Sequence, residues 1–188
     1  MAERQTLRLL GLLDQSYPAV DLQLLTELPR LEVRLASSLP MSGFSSWESS
    51  RWLIAINADD HPLRQRFTLA HEFKHVLDHP FIRCLYPGPD GRPSEKRAES
   101  ICDYFAGCLL MPRPWVKRTW TEGVQDAPSL AAHFGVSLPA MKVRLQQLGL
   151  ILPRPRCGWV QSRGRAFLRP DHSGRTVMYE RALAGVGL

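Results

Sequence analysis

The sequence predicts an α+β fold, mainly helical, with a small sheet contributed by the first third of the chain. Three observations carry that reading. Strand-like patterning is confined to two early stretches, LEVRLASSL and RWLIAIN. Two long segments of helical pattern follow, each closed by a proline. A pair of short amphipathic helical stretches then precedes a proline-containing tail.

With 188 residues the chain can bury an ordinary core, so neither a disulfide nor a metal is needed merely to hold it together. The four cysteines, Cys84, Cys102, Cys108 and Cys157, show no CxxC spacing. Reduced, buried thiols are the expectation, ahead of a disulfide or a cysteine–metal site. No apolar run approaches the ~20 residues of a membrane span. The N-terminus lacks the small-residue cleavage site of a signal peptide. A cytoplasmic location with no membrane partner is therefore expected. The formal net charge of +6 would suit an acidic partner, but the basic residues are mostly scattered arginines, a weak footprint for nucleic acid.

Taken in order, LRLLGLLDQ has helical spacing, and DLQLLTELPR reads as a short helix opened by Asp21 and stopped before Pro29. LEVRLASSL alternates apolar and polar residues and reads as a strand. GFSSWESS reads as a polar turn, and RWLIAIN as a second strand. DDHP opens a helix, with an aspartate or His61 as cap and Pro62 in the first turn; it runs to about His79, where Pro80 ends it. After the loop YPGPDGRP, Ser94 is positioned to cap EKRAESICDYFAGCLL, which Pro112 closes. SLAAHFG and SLPAMKVRLQQLG form a helical pair joined at GVS, and the tail from Pro153 holds a candidate hairpin, GWVQSRGRAFLRP. The expected organisation is a first domain over residues 1–112, a helical extension packed on it over 113–152, and a small tail over 153–188.

The chemistry-bearing stretch is AHEFKH in the first long helix. Residues four apart lie on one helix face, offset by only ~40°, so His71 and His75 can offer two imidazole nitrogens to one Zn2+. Glu72 lies ~100° round the helix, poorly placed as a ligand and suited to accept a proton from an attacking water. Three fixed positions alone leave two readings open: a metal site, or a helix that happens to carry polar residues. A catalytic zinc needs a third protein ligand and an open fourth position. Glu99 and Asp103, four apart on the second long helix, supply candidates. Glu99 can close the ligand set, and Asp103 can accept the distal N–H of a ligand histidine and fix its tautomer. The bland alternative is a solvated helix face. Against it, Asp103 sits in the apolar run ICDYFAGCLL, where an unpaired buried carboxylate is costly.

RQRFTLAHEFKHVLDH followed by ESICDYFAGCLLMP resembles the ImmA/IrrE family of metallopeptidases, over roughly Asp21 to Leu150. The resemblance implies a zincin-like metallopeptidase domain, with His71, His75 and Glu99 as zinc ligands and Glu72 as the catalytic base. Asp103 stands where the family commonly has Asn, Cys102 where a small Ala is usual, and Lys74 where Gly is frequent, which puts a cation near the site. LAAHFGVSLPAMKVRLQQLGL is similar to the family's helical extension and also has the form of a helix-turn-helix. Lys142 and Arg144 would then touch phosphates, whereas the stripe Leu138, Met141, Leu145 and Leu148 favours packing.

The resemblance further implies a zinc-dependent endopeptidase that cleaves a DNA-binding repressor of the XRE helix-turn-helix type and so relieves repression. Two other readings stand beside it: a module that sequesters the repressor without cutting, and a DNA-binding regulator that uses the helical pair. A peptide substrate would lie along RWLIAIN if that strand is a sheet edge. His79 is either near the metal's far side or a helix-end histidine, and Tyr104 either an oxyanion donor or a packing residue. His61, His133 and His172 have no partner in the sequence.

Overall fold

Helix α1 (Ala2–Leu12) buries Ala2, Thr6 and Leu10, one residue per turn on a single face. A 3-10 turn over Leu22–Glu27 follows, opened by Asp21, whose carboxylate accepts the Gln23 N–H at 2.9 Å. Three strands come next: β1 (Leu31–Ala36), β2 (Gly43–Glu48) and β3 (Arg51–Asn57). Helix α2 (Pro62–Asp78) starts at His61, whose Nδ1 accepts the Leu63 N–H. The short α3 (Ile82–Leu85) leads to α4 (Glu95–Leu110), then α5 (Arg113–Thr121), α6 (Ala127–Phe134) and α7 (Leu138–Gln147). This computed structural model describes residues 1–89, 91–152, 168–170 and 176–178. They belong to two compact units, Met1–Leu152 and Pro153–Leu188. In the second, β4 (Leu168–Pro170) pairs antiparallel with β5 (Thr176–Met178). Most of the hairpin expected in GWVQSRGRAFLRP, with Cys157 and His172, lies outside the described residues.

The sheet order is β1-β3-β2, with β3 parallel to β1 and antiparallel to β2. RWLIAIN is therefore the central strand, so the condition for laying a peptide along it, that it be a sheet edge, is not met. Its run Leu53–Ile56 is buried throughout, the pattern of a strand enclosed on both faces. The edge beside α2 is β2, in the stretch GFSSWESS that the sequence reads as a turn. The turn proper is only Ser49 and Ser50, both with positive φ (47° and 65°). Two-residue hairpins of that handedness usually carry Asn-Gly; two serines hide the signal.

Helix α2 packs across the sheet and against α4, which also contacts α1. Ile54, Phe73, Phe105 and Leu109 share one core with Phe134, Met141 and Leu145 of the helical pair. The α6–α7 turn is set by Gly135 at φ 60°, with Val136 N–H returning to Ala131 O. Arg66 of α2 grips that turn, its Nε donating to Gly135 O at 3.1 Å and its Nη2 to Val20 O at 2.8 Å. Arg144 does not reach outward to phosphates, as the helix-turn-helix alternative would require. It is 1% exposed, donating to Met111 O at 3.0 Å and pairing with Glu3 of α1 at 2.9 Å. Among the described residues, no helix is long and apolar enough to cross a membrane.

Candidate metal centre

Helices α2 and α4 cross so that their i, i+4 pairs face one another. His71 Nε2 and His75 Nε2 lie 3.1 Å apart. Glu99 reaches across from α4, with Oε2 at 3.2 Å from His71 Nε2 and Oε1 at 3.2 Å from His75 Nε2. For bonds of ~2.0–2.1 Å, the ligand–ligand edge of a tetrahedral zinc is about 3.3 Å, so this triangle has the size of three zinc ligands. Protonation points the same way. His71 Nδ1 is 2.9 Å from Asp103 Oδ1; donating that N–H leaves Nε2 with only a lone pair, facing a carboxylate oxygen that also has only lone pairs. The contact is repulsive unless a cation, or a second proton on the ring, sits between them. The residues fit a zinc ion.

The basis on which the sequence singles out Asp103 needs correction. Its side chain is 63% exposed, and that of Glu99 59%. Within ICDYFAGCLL the buried face belongs to Cys102, Phe105, Ala106 and Leu109, and Asp103 projects ~100° away from Cys102. It meets His71 at the mouth of the site rather than in the core.

Cys102 offers a competing third donor. Its Sγ and the two histidine nitrogens all lie within 4.8 Å of one another. Burial, reinforced by the nearby Asp78 and Glu99 carboxylates, pushes its thiol up to about 12. Both Glu99 oxygens already lie 3.2 Å from a histidine Nε2, the spacing of neighbouring zinc ligands, so Glu99 is the stronger candidate.

Lys74 does not put its charge near the donors. It is buried on the other side of α2, where Nζ donates to Gln5 at 2.8 Å and to Asp78 at 2.6 Å, above the Phe105 ring. Tyr86 OH donates to the other Asp78 oxygen, and burial followed by that bond raises the phenol well above its usual range. His79 packs edge-on against Trp52 at 4.9 Å. Tyr104 OH donates to Glu3, which joins it to the α1 contact and takes it out of the oxyanion role.

A cleft of about 350 Å3 opens beside the donors. Glu72 lines it, largely buried, and its carboxylate makes no hydrogen bond among the described residues. Ser42 and Gly43, at the start of β2, also line it with Arg64, whose Nε donates to Ser42 Oγ at 3.2 Å. Gly43 permits the approach: a Cβ there would sit 2.6 Å from Thr68 Cγ2 and 2.8 Å from Ala55 O. Sequence reasoning missed this part of the lining, and its one signal was a lone glycine at the head of GFSS.

Fold and site together define an α+β protein whose helix-borne HExxH histidines meet a carboxylate from a second helix. The family described as the IrrE N-terminal-like domain, a peptidase family, matches residues 32–146, and the chain belongs to it. Two curated relatives are each named radiation response metalloprotease IrrE. The protein from Deinococcus radiodurans is 37% identical over 65 residues, 33% of this chain and 20% of its own length. The Deinococcus deserti protein is 37% identical over 70 residues, 36% of this chain and 25% of its own length. The matches thus span a quarter or less of those relatives. A solved structure described as a Mycobacterium tuberculosis transcriptional regulator superposes with a TM-score of 0.62 at 21% identity. It covers 99% of this chain and 67% of that one, a likeness of fold.

Proposed function

We propose that this chain is a zinc-dependent endopeptidase of zincin-like form that cleaves a repressor of the XRE helix-turn-helix type in the cytoplasm. The observation that carries the reading is the convergence of three zinc-sized donor contacts beside a cleft that the largely buried residue Glu72 lines. His71, His75 and Glu99 are the ligands in this reading, and Asp103 orients His71 through its Nδ1–H. Zinc bound there supplies Lewis acidity, lowering the pKa of a water towards ~7 and polarising a carbonyl. Glu72 accepts the proton of the attacking water and passes it to the leaving amine. The free edge of β2, rather than β3, supplies backbone hydrogen bonds to an extended substrate and lays it along the cleft.

Residues 1–112 would form the peptidase-like part and residues 113–152 the helix-turn-helix-like extension, with 153–188 as a tail. Burial of Arg144 favours packing over DNA contact for that extension. Family membership supports the reaction class, and the likeness to a transcriptional regulator is compatible with a regulator as partner.

The test is co-expression of wild type and Glu72→Gln with an XRE-type repressor encoded beside the gene, scoring fragments and derepression separately. The variant is expected to keep its zinc and its grip on the repressor while cleavage falls by about 10²–10⁴. Equal derepression by both proteins, with fragments from neither, would replace cleavage by sequestration.

A further inference from the structure

A second cavity, of about 1330 Å3, shares no lining residue with the cleft around His71 and Glu72. It opens between α1, the C-terminal end of α2 with α3, and the first turns of α4. Its walls are apolar: Leu77, Leu85, Phe81 and Ile101, with Phe81 60% and Ile101 39% exposed. The polar groups at its base, Lys74, Asp78 and Tyr86, are bonded to one another. Its rims are cationic. Arg4 and Arg8 line it from α1, Lys96 and Arg97 from α4, and all four are exposed. None of them forms an ion pair among the described residues. Among the described residues, the one carboxylate in the lining, Asp78, is buried and already paired.

We propose that this groove docks an acidic amphipathic helix of a protein partner. The volume exceeds the ~300–1,000 Å3 of small-molecule pockets, which favours a polypeptide segment. An apolar trough between two positive rims is complementary to a helix whose apolar stripe enters the groove and whose acidic flanks meet the rims. Nucleic acid would satisfy the cations but leave Phe81 and Ile101 against water. The groove and the donor cluster use different faces of α2 and α4, so docking does not require a loaded metal site. The proposal stands independently of the peptidase reading.

The test is selection of short helical peptides from a displayed library on the full chain, followed by fluorescence anisotropy at increasing salt. Measurements are made on wild type, Arg8→Glu/Arg97→Glu and Phe81→Ser, each checked for native circular dichroism. The expected winners carry an apolar i, i+3/i+4, i+7 stripe flanked by Glu or Asp. They should weaken with salt and lose roughly tenfold or more in affinity for both variants. Winners without acidic bias, winners that bind either variant as tightly as wild type, or no enrichment at all would overturn the proposal. So would a DNA duplex or phosphatidylglycerol vesicles that bind the wild type through these residues when no peptide does. Zinc content is measured in parallel; its loss would bear on the metal centre and leave the docking result unaffected.

Discussion

Two rings on α2 need a third donor, and which residue supplies it decides the charge and openness of the site. A Glu99 set leaves one coordination position for water; recruiting Cys102 would fill or displace it. The expectation is about one zinc per chain in purified protein, lost in His71→Ala and Glu99→Gln and retained in Cys102→Ser, by elemental analysis. Retention in Glu99→Gln with loss in Cys102→Ser would exchange the two residues. Asp103→Ala should keep the fold and weaken zinc by ~10–100-fold in chelator competition, because it removes the acceptor 2.9 Å from His71 Nδ1. An unchanged affinity would make Asp103 a solvent-facing residue with no part in the site. At this scale the sequence was informative because i, i+4 spacing puts each pair on one face, and the structure brings His71, His75, Glu99 and Asp103 together. What spacing does not carry is depth: the apolar neighbours of Asp103 implied burial, yet they face the other way.

Elements were legible where their punctuation was local. Asp21, His61 and Gly135 mark ends that the structure keeps. The edge strand β2 was not, because a pair of serines holds the positive-φ turn and Phe44 and Trp47 are its only large apolar residues. Helix α5 was also missed. Pro112 reads as the stop of α4 with no element assigned directly after it, yet Pro114 sits in the first turn of the next helix, where the absent N–H has no intrahelical partner to lose. The role of β2 can be tested through Gly43. A valine there drives side-chain atoms into Thr68 and the Ala55 carbonyl, and the carbonyl belongs to the central strand and cannot swing away. Gly43→Val should cost about 1–3 kcal/mol, the usual range for overpacking, read as a lower denaturant midpoint. The donors sit on α2 and α4, so zinc should stay while cleavage is lost. Full cleavage in a folded Gly43→Val protein would remove β2 from substrate binding.

Over the whole of Met1–Leu152, the sheet, the donor helices and the helical pair share a core that no short window of sequence displays. Arg144 is the clearest case. On sequence it is a phosphate-contacting cation only under the helix-turn-helix alternative, one residue from the apolar Leu145. In the structure its guanidinium binds the carbonyl that ends α4, the carboxylate of Glu3 on α1, and Gln147 on its own helix. Those contacts join residues 3, 111 and 144, which are far apart in the chain, so only the folded chain reveals them. Arg144→Met preserves much of the side-chain length but removes every donor. Glu3 is left without its cation, although it keeps some access to water, and Met111 O loses its side-chain donor. The expected loss is about 2–3 kcal/mol, seen as a lower urea midpoint with an unchanged slope and one transition. A separately folding extension would instead give a second transition and leave the first in place. A phosphate-contacting role would give the opposite pattern, wild-type stability with weakened, less salt-dependent DNA binding. That result would return Arg144 to the surface and the helical pair to DNA.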